Sequence, residues 1–346
     1  MLADPDWRAL DTLLQSYKEQ ATQAIFHYIP KKEPYRYLYN LIPIYPQRSG
    51  KGLRPSLCIA TCRAFGGPLE KILRTATCIE LFHNAFLVHD DIEDGSEYRR
   101  GEPTLHADYG IGIALNVGDA MNVLSIKPLM DNLRFLGPHM TWRVFGEIEH
   151  MVRESVEGQA IELGWMHDNV CDLDEADYLR MILKKTCWYT CIHPCRIGAL
   201  VGSDGSADLD AMNRFAYYMG AAFQIQDDVL NLIGEHTKYG KEIGGDIWEG
   251  KRTLILIHLL GHCSSEEKSS LAEFLATPRA SRSVKRVQWV FRLMKKHRSI
   301  ESARSSAHYL AGAALREFNV AFGGVPDGAE KRFIKDIILY MVHRDI

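Results

Sequence analysis

An all-α fold in one large domain, residues 1–346, is what the sequence predicts, and three observations carry it. Apolar residues recur at steps of three and four through both halves of the chain, the spacing of one helix face. No Pro/Gly/Ser-rich linker divides the chain, although length alone would suggest about two domains. Hydrophobic residues make up 46% of it, ample for a sizeable core at this length.

The elements follow in order. Asp4 or Asp6 can cap a first helix running to about Tyr28, with Pro5 at a tolerated early position. Ile29-Pro-Lys-Lys-Glu-Pro34 ends it, and a shorter helix from Tyr35 to Leu41 precedes Pro43 and Pro46. In Ser49-Gly-Lys-Gly-Leu-Arg-Pro55, Gly50 and Gly52 loosen the backbone beside Lys51 and Arg54, just before a helix from Ser56 to Phe65. Basic side chains and free amides at a helix start suit an anion, though the spacing is not that of a nucleotide P-loop; a solvated basic turn is the other reading. The next helix, Leu69 to Asp94, repeats at three and four through Ile72, Ala76, Ile79, His83, Phe86, Asp90 and Asp94. Arg99 and Arg100 lead into a turn at Gly101-Glu-Pro-Thr104. Helices are expected at 112–135, 139–166 and 174–202, the last capped by Asp172 or Asp174 and carrying Lys184, Lys185 and Thr186. A helix over 207–233 leads into Gly234 to Lys251, a glycine-rich stretch that reads as a lid or as simple loop disorder. Amphipathic segments at 252–262, 265–276, 282–297, 300–319 and 328–343 supply core and interface.

Two acidic clusters carry the chemistry. In Leu87-Val-His-Asp-Asp-Ile-Glu-Asp94, Asp90 and Asp94 stand one helical turn apart on one face, with Asp91 about 100° round. Like charges at that spacing repel unless a cation sits between them, and oxygen-only ligands suit a hard ion such as magnesium; a solvated acidic face is the plainer alternative. Phe223-Gln-Ile-Gln-Asp-Asp-Val-Leu-Asn231 repeats the arrangement after a second apolar helical run, with Asp227 and Asn231 four apart. Two such helix ends facing each other would gather carboxylates around one cavity, at a cost of several kcal/mol per unpaired buried charge unless cations fill it. That points to a metal-diphosphate site.

A net charge of −3, from 41 basic and 44 acidic residues, argues against generic nucleic-acid binding, which needs a basic excess or stripe. No signal peptide is evident at Met1-Leu-Ala-Asp-Pro-Asp-Trp7 and no apolar run approaches a membrane span, so a cytoplasmic protein with reduced cysteines is expected. Cys187, Cys191 and Cys195, with His193 nearby, invite a zinc reading. Pro194 disturbs that helix, and small cysteines packing against a neighbouring helix fit better.

Taken together, Gly50-Lys-Gly-Leu-Arg-Pro55, Asp90-Asp-Ile-Glu-Asp94 with Arg99-Arg100, Lys185-Thr186, Phe223-Gln-Ile-Gln-Asp-Asp228 and Lys241 to Lys251 make the sequence resemble the trans-isoprenyl diphosphate synthases, chain-elongating prenyltransferases. The resemblance spans nearly the whole chain and implies an isoprenoid synthase-type helical bundle around a deep central cavity, in a homodimer. It implies that Asp90 and Asp94 hold two magnesium ions and Asp227 a third, with Asp91 and Asp228 supporting. Those ions, with Arg99, Lys185, Lys241 and Lys251, would grip an allylic diphosphate. Lys51, Arg54, His83 and Arg100 would hold isopentenyl diphosphate. Gln224 and Lys185 or Thr186 would face the developing cation.

Asn231 departs from the family's usual final aspartate, which keeps an oxygen and loses a charge. Ala85 and Phe86, one turn before Asp90, would floor the tail cavity, with Phe82 a turn deeper; a small Ala85 favours geranylgeranyl diphosphate over farnesyl or geranylfarnesyl diphosphate. A terpene cyclase would leave Lys51 and Arg54 without a role, a phosphohydrolase built on His89-Asp90 would need fewer acids, and a catalytically silent partner subunit should have lost aspartates.

Overall fold

The structure, a computed structural model, describes residues 5–48, 50–234 and 244–343. Its first half holds α1 (Trp7–Tyr28), α2 (Leu53–Ala64), α3 (Leu69–Asp94), α4 (Ile111–Asp131) and α5 (Leu133–His167). The second half holds α6 (Glu175–Ile182), α7 (His193–Gly202), α8 (Asp210–Ile233), α9 (Leu254–His262), α10 (Ser265–Ala276), α11 (Val284–Lys296), α12 (Ser299–Ala321) and α13 (Ala329–His343). Short polar side chains start several of these. Asp6 accepts from the Ala9 amide at 3.0 Å, and Asp174 and Asp177 exchange side-chain and backbone bonds in a capping box.

Four expectations change in detail. The helix expected over 35–41 is a five-residue π turn, Tyr35–Tyr39. The helix expected from Ser56 begins at Leu53, because Gly52 takes a left-handed φ of 61° and Pro55 falls in the first turn, where its missing amide costs nothing. The break expected between 135 and 139 is present at Gly137 (φ 73°, ψ 169°) before Pro138, but α4 already ends at Asp131 and Leu133 starts the next helical turn. The single helix expected over 174–202 is α6, a π-helical stretch at Leu183–Ile192, and α7. Pro194 has no amide to give the Thr190 carbonyl, and the turns before it widen to the five-residue bonding of a π helix, as in His193 N–H to the Trp188 carbonyl. Strand structure among the described residues is one hairpin, with Tyr98 opposite Pro103 and Arg99 opposite Glu102. Positive φ at Arg100 and Gly101 closes it, the pairing a tight hairpin requires.

Helix α3 packs along α4, α2 along α7 and α8 along α12, while the π stretch lies between α5 and α8. The main core draws side chains from Leu10 to Val342, and a smaller cluster gathers Ile42, Tyr45, Ala85, Val88, Val117 and Met121 between α3 and α4. All eight cysteines are free thiols. Cys187 lies against Gly220 of α8, and no group of three metal-ligating side chains converges among the described residues. Cys187, Cys191 and Cys195 are wholly buried in the main core, where they pack between helices.

Candidate active site

A cavity of about 830 Å³ opens between α3, α5, the π stretch and α8. Charged groups line one part of it: Asp90, Arg99, Lys185, Asp227, Asp228, Asp246 and Lys251. Phe82, Phe86, Val152, Val156 and Tyr189 line another. The two acidic helix ends read from the sequence thus reach one space.

On α3 the three aspartates do different things. Asp90 lies on the cavity wall, 3.1 Å from Arg99 Nη2 and 3.7 Å from Lys185 Nζ. Asp91 is fully buried and faces away, accepting from Tyr45 Oη at 2.5 Å and from Arg99 Nε at 2.8 Å and Nη2. It fixes Arg99, whose guanidinium is driven further toward the charged form by Asp91 and Asp90 against the opposing effect of burial. Asp94 accepts from Lys251 at 2.6 Å through Oδ2, while its Oδ1 is buried without a partner. Burial pushes the Asp94 carboxyl up to about 7, opposed by Lys251.

Across the cavity Asp227 faces in, whereas Asp228 is buried and accepts from Gln224 Nε2 and Tyr178 Oη, both at 2.8 Å. Burial likewise pushes Asp228 up to about 7. Thr186 donates to Gln224 Oε1 at 2.9 Å, so Thr186, Gln224, Asp228 and Tyr178 form one chain of hydrogen bonds. Lys185 is paired with Glu162 of α5, and Lys184 reaches Glu154 and Glu157 at 2.9 and 2.7 Å on the outer side. Asn231 is buried outside the cavity wall, where its Oδ1 accepts the Asp246 amide at 3.1 Å and its carbonyl accepts the Gly244 amide at 2.7 Å. Its oxygen is thus engaged in docking Gly245–Glu249, a short helix that precedes Lys251.

The basic arm gathers Arg54, His83 and Arg100 on the cavity wall. Arg54 donates to Tyr189 Oη at 2.7 Å and Thr190 Oγ1 at 2.9 Å, and its Nη1 lies 3.1 Å from His83 Nε2. An arginine only donates, so His83 accepts there and keeps its proton on Nδ1. Burial, reinforced by Arg54 and Arg100, holds His83 well below the ordinary imidazole range, hence neutral. Lys51 does not join this group on the wall; its ammonium stands 4.8 Å over the Tyr340 ring. Lys241 lies outside the described residues.

One expected floor residue is misplaced by the sequence reading. Ala85 is wholly buried in the α3–α4 cluster and is not part of the cavity wall, because a residue 100° round the helix from Phe86 meets α4 instead. Phe86 does line the cavity, stacked with Phe82 at 6.2 Å and edge-on to Tyr189 at 5.8 Å. His89 lies 3.4 Å from the Leu115 carbonyl and 3.5 Å from Asp119, both on α4. Sequence reasoning missed Tyr189, Tyr45, Glu162 and Asn122. Tyr189 lies four residues after Lys185, a spacing that signals a shared helix face, and both line the cavity.

The family model described as "Polyprenyl synthetase" matches residues 35–294. The geranylgeranyl diphosphate synthase of Sulfolobus acidocaldarius is 34% identical over 67% of this chain and 70% of its own length. A short chain isoprenyl diphosphate synthase of Methanocaldococcus jannaschii is 35% identical over 69% of this chain and 71% of its own. Among solved structures, geranylgeranyl pyrophosphate synthetase from Pyrococcus horikoshii superposes with a TM-score of 0.85 at 29% identity, covering 98% of this chain and 99% of that one.

Proposed function

The chain belongs to the polyprenyl synthetase family of chain-elongating trans-prenyltransferases, and from that premise we propose that it condenses isopentenyl diphosphate with an allylic diphosphate to make geranylgeranyl diphosphate. The observation that carries the reading is the pairing of two acidic helix ends with a separate basic arm around one cavity. Two diphosphates need two grips. Two of the relatives above are named for the twenty-carbon product.

Magnesium fits the donor set. Asp90, Asp94 and Asp227 offer oxygen alone, and Asp94 Oδ1 is a buried acceptor without a donor. Few carboxylates per ion suffice when substrate phosphates complete the shell, which agrees with the lack of a three-residue cluster among the described residues. Bound there, the ions supply positive charge to the departing diphosphate. Lys185 and Lys251 add their charge on the same side and Arg99 holds Asp90 in place, while Arg54, Arg100 and neutral His83 orient isopentenyl diphosphate. Gln224 and the Thr186 hydroxyl present oxygens to the allylic carbon as its bond ionises. The aromatic wall of Phe82, Phe86 and Tyr189 keeps water from the cation until the isopentenyl double bond attacks it. The released diphosphate is within the same space to take the final proton.

We further hold that residues 1–346 act as one domain and pair as a homodimer in the cytoplasm. Support comes from a core shared by both ends of the chain, from exposed apolar side chains on α4 and α5 such as Val123 and Trp142, and from eight unpaired thiols. No helix of the described residues is long and apolar enough to cross a membrane.

The test is a product assay with magnesium, labelled isopentenyl diphosphate and five-, ten- or fifteen-carbon allylic primers, read by chromatography after dephosphorylation. Geranylgeraniol is expected, and chelation should abolish it. Cyclic hydrocarbon without isopentenyl incorporation would point to a cyclase, and no turnover would point to a silent partner subunit.

A further inference from the structure

Charge is unevenly spread along the chain. Residues 279–304 hold nine Lys and Arg against one acidic residue, Glu301, which leaves 32 basic (41 less nine) against 43 acidic (44 less one) in the rest. The net charge of −3 thus hides a pole of +8 set against −11. Part of that positive charge is spent inside the fold. Arg279 pairs with Glu249 at 3.2 Å, Arg282 donates to the Ile247 and Trp248 carbonyls at 3.0 and 2.6 Å, and Arg286 donates to the Ser270 carbonyl at 2.9 Å. Lys296 pairs with Glu267 of α10 at 2.7 Å. The remainder faces out. Helix α11 turns Val287, Val290, Leu293 and Met294 into the core and leaves Lys285, Gln288, Arg292 and Lys295 exposed, at steps of three and four that keep them on one face. Arg298, just past its end, is exposed too. Beside this stripe stand Val284, 59% exposed, and half-buried Phe291, with Lys295 Nζ 4.4 Å over the Phe291 ring.

We propose that the outer face of α11 is a docking surface for an anionic phospholipid bilayer. Cations clustered on an amphipathic helix suit acidic headgroups, each strengthening binding about fivefold. The apolar edge at Val284 and Phe291 adds contact at headgroup depth, for which a nucleic-acid phosphate backbone has no use. The −11 carried by the rest of the chain repels an acidic surface in other orientations, so contact is confined to this face. On the inner side of α11, Val290 and Met294 share a small pocket with Ile247 and Lys251. The stripe therefore backs the acidic end of the cavity, and docking sets that end toward the headgroups. The proposal goes beyond the prenyltransferase reading and does not rest on it, since vesicles are bound without substrate.

The experiment sediments the full chain with vesicles of phosphatidylcholine alone or of equal parts phosphatidylcholine and phosphatidylserine, over a range of salt. We expect partition onto the phosphatidylserine vesicles that falls as salt rises, and none onto phosphatidylcholine alone. Combining Lys285→Gln, Arg292→Gln and Lys295→Gln should weaken partition by about a hundredfold, with circular dichroism and thermal midpoint unchanged, because none of the three is in the core or the cavity wall. Lys31→Gln with Lys32→Gln and Arg36→Gln removes the same charge from another exposed segment and should leave partition as it was. Absence of wild-type partition, equal partition onto both vesicle types, or equal loss from the two triple variants overturns the proposal. So does duplex RNA that displaces the vesicles at matched phosphate concentration, which would assign the stripe to nucleic acid. Should the α11 variant fail to fold, Arg292→Glu alone takes its place on the same criteria.

Discussion

Ala85 and Phe86 are neighbours in the chain, yet one fills the α3–α4 cluster and the other faces the cavity. Ala85→Phe is therefore an overpacking change, expected to cost about 1–3 kcal/mol and to leave the product distribution as it was. A thermal melt and a product chromatogram check both halves; shorter product at unchanged stability would put position 85 in the channel after all. The same helix shows what single residues disclose. Asp90 and Asp94 were legible because an i,i+4 pair of like charges has no local benefit. That Asp91 would turn inward to Tyr45 and Arg99 was not legible, since its partners come from other segments and a hydroxyl forty-six positions away leaves no trace in local spacing. Asn231 also gained its meaning only from contact, as the anchor for Asp246.

At the scale of elements, helix starts could be read from Asp6, Asp174 and their followers because capping is local chemistry. The π stretch could not, because its ten residues show no apolar period distinct from that of an α-helix. Its position depends on Gly158 of α5: a Cβ there would fall on the backbone N and Cα of Lys185, with no flexible side chain to give way. Gly158→Ala should separate α5 from the π stretch, break the Lys185–Glu162 pair and cost about 3 kcal/mol. Denaturant midpoints should fall, and the Michaelis constant for the allylic primer should rise. A variant with wild-type stability and kinetics would show that the two backbones are less tightly apposed.

A second tie between α5 and α7 has a pH signature. Glu147 accepts from Arg196 Nε and Nη2 at 2.7 and 2.8 Å and from His193 Nδ1 at 2.9 Å. Burial opposes its charge, but these bonds outweigh it and hold the carboxyl down at about 2 against an ordinary 4.5. A carboxyl depressed on folding stabilises above its unfolded value and loses that contribution as pH falls through the folded one. Glu147→Gln should thus destabilise by about 3 kcal/mol near neutrality, and the gap from wild type should close between pH 4.5 and about 2. A gap constant across that range would remove Glu147 from the account.

For the whole molecule, α4 is the telling helix. Ala114, Val117 and Met121 are buried inward, while Val123 and Met130 are 68% and 56% exposed on the other side. A helix apolar all round is covered on both faces, and the exposure continues onto α5 at Phe135 and Trp142, the latter 78% exposed and stacked with Phe145 at 6.2 Å. An apolar surface of this kind on a chain with no membrane-crossing helix among its described residues suits a protein partner, and a second copy is the partner we expect. Sequence periodicity already marked these positions as apolar, but it could not say whether core or partner would cover them, because both give the same pattern. Sedimentation velocity at micromolar concentration should find twice the 39.3 kDa chain mass. Combining Val123→Glu with Trp142→Glu should weaken association by about a hundredfold or more, since buried aromatic anchors and unpaired charges dominate such surfaces. The circular dichroism of the variant should stay helical, because neither side chain is in the core. A wild-type chain that sediments at the single-chain mass would leave the face to a different partner and withdraw the homodimer.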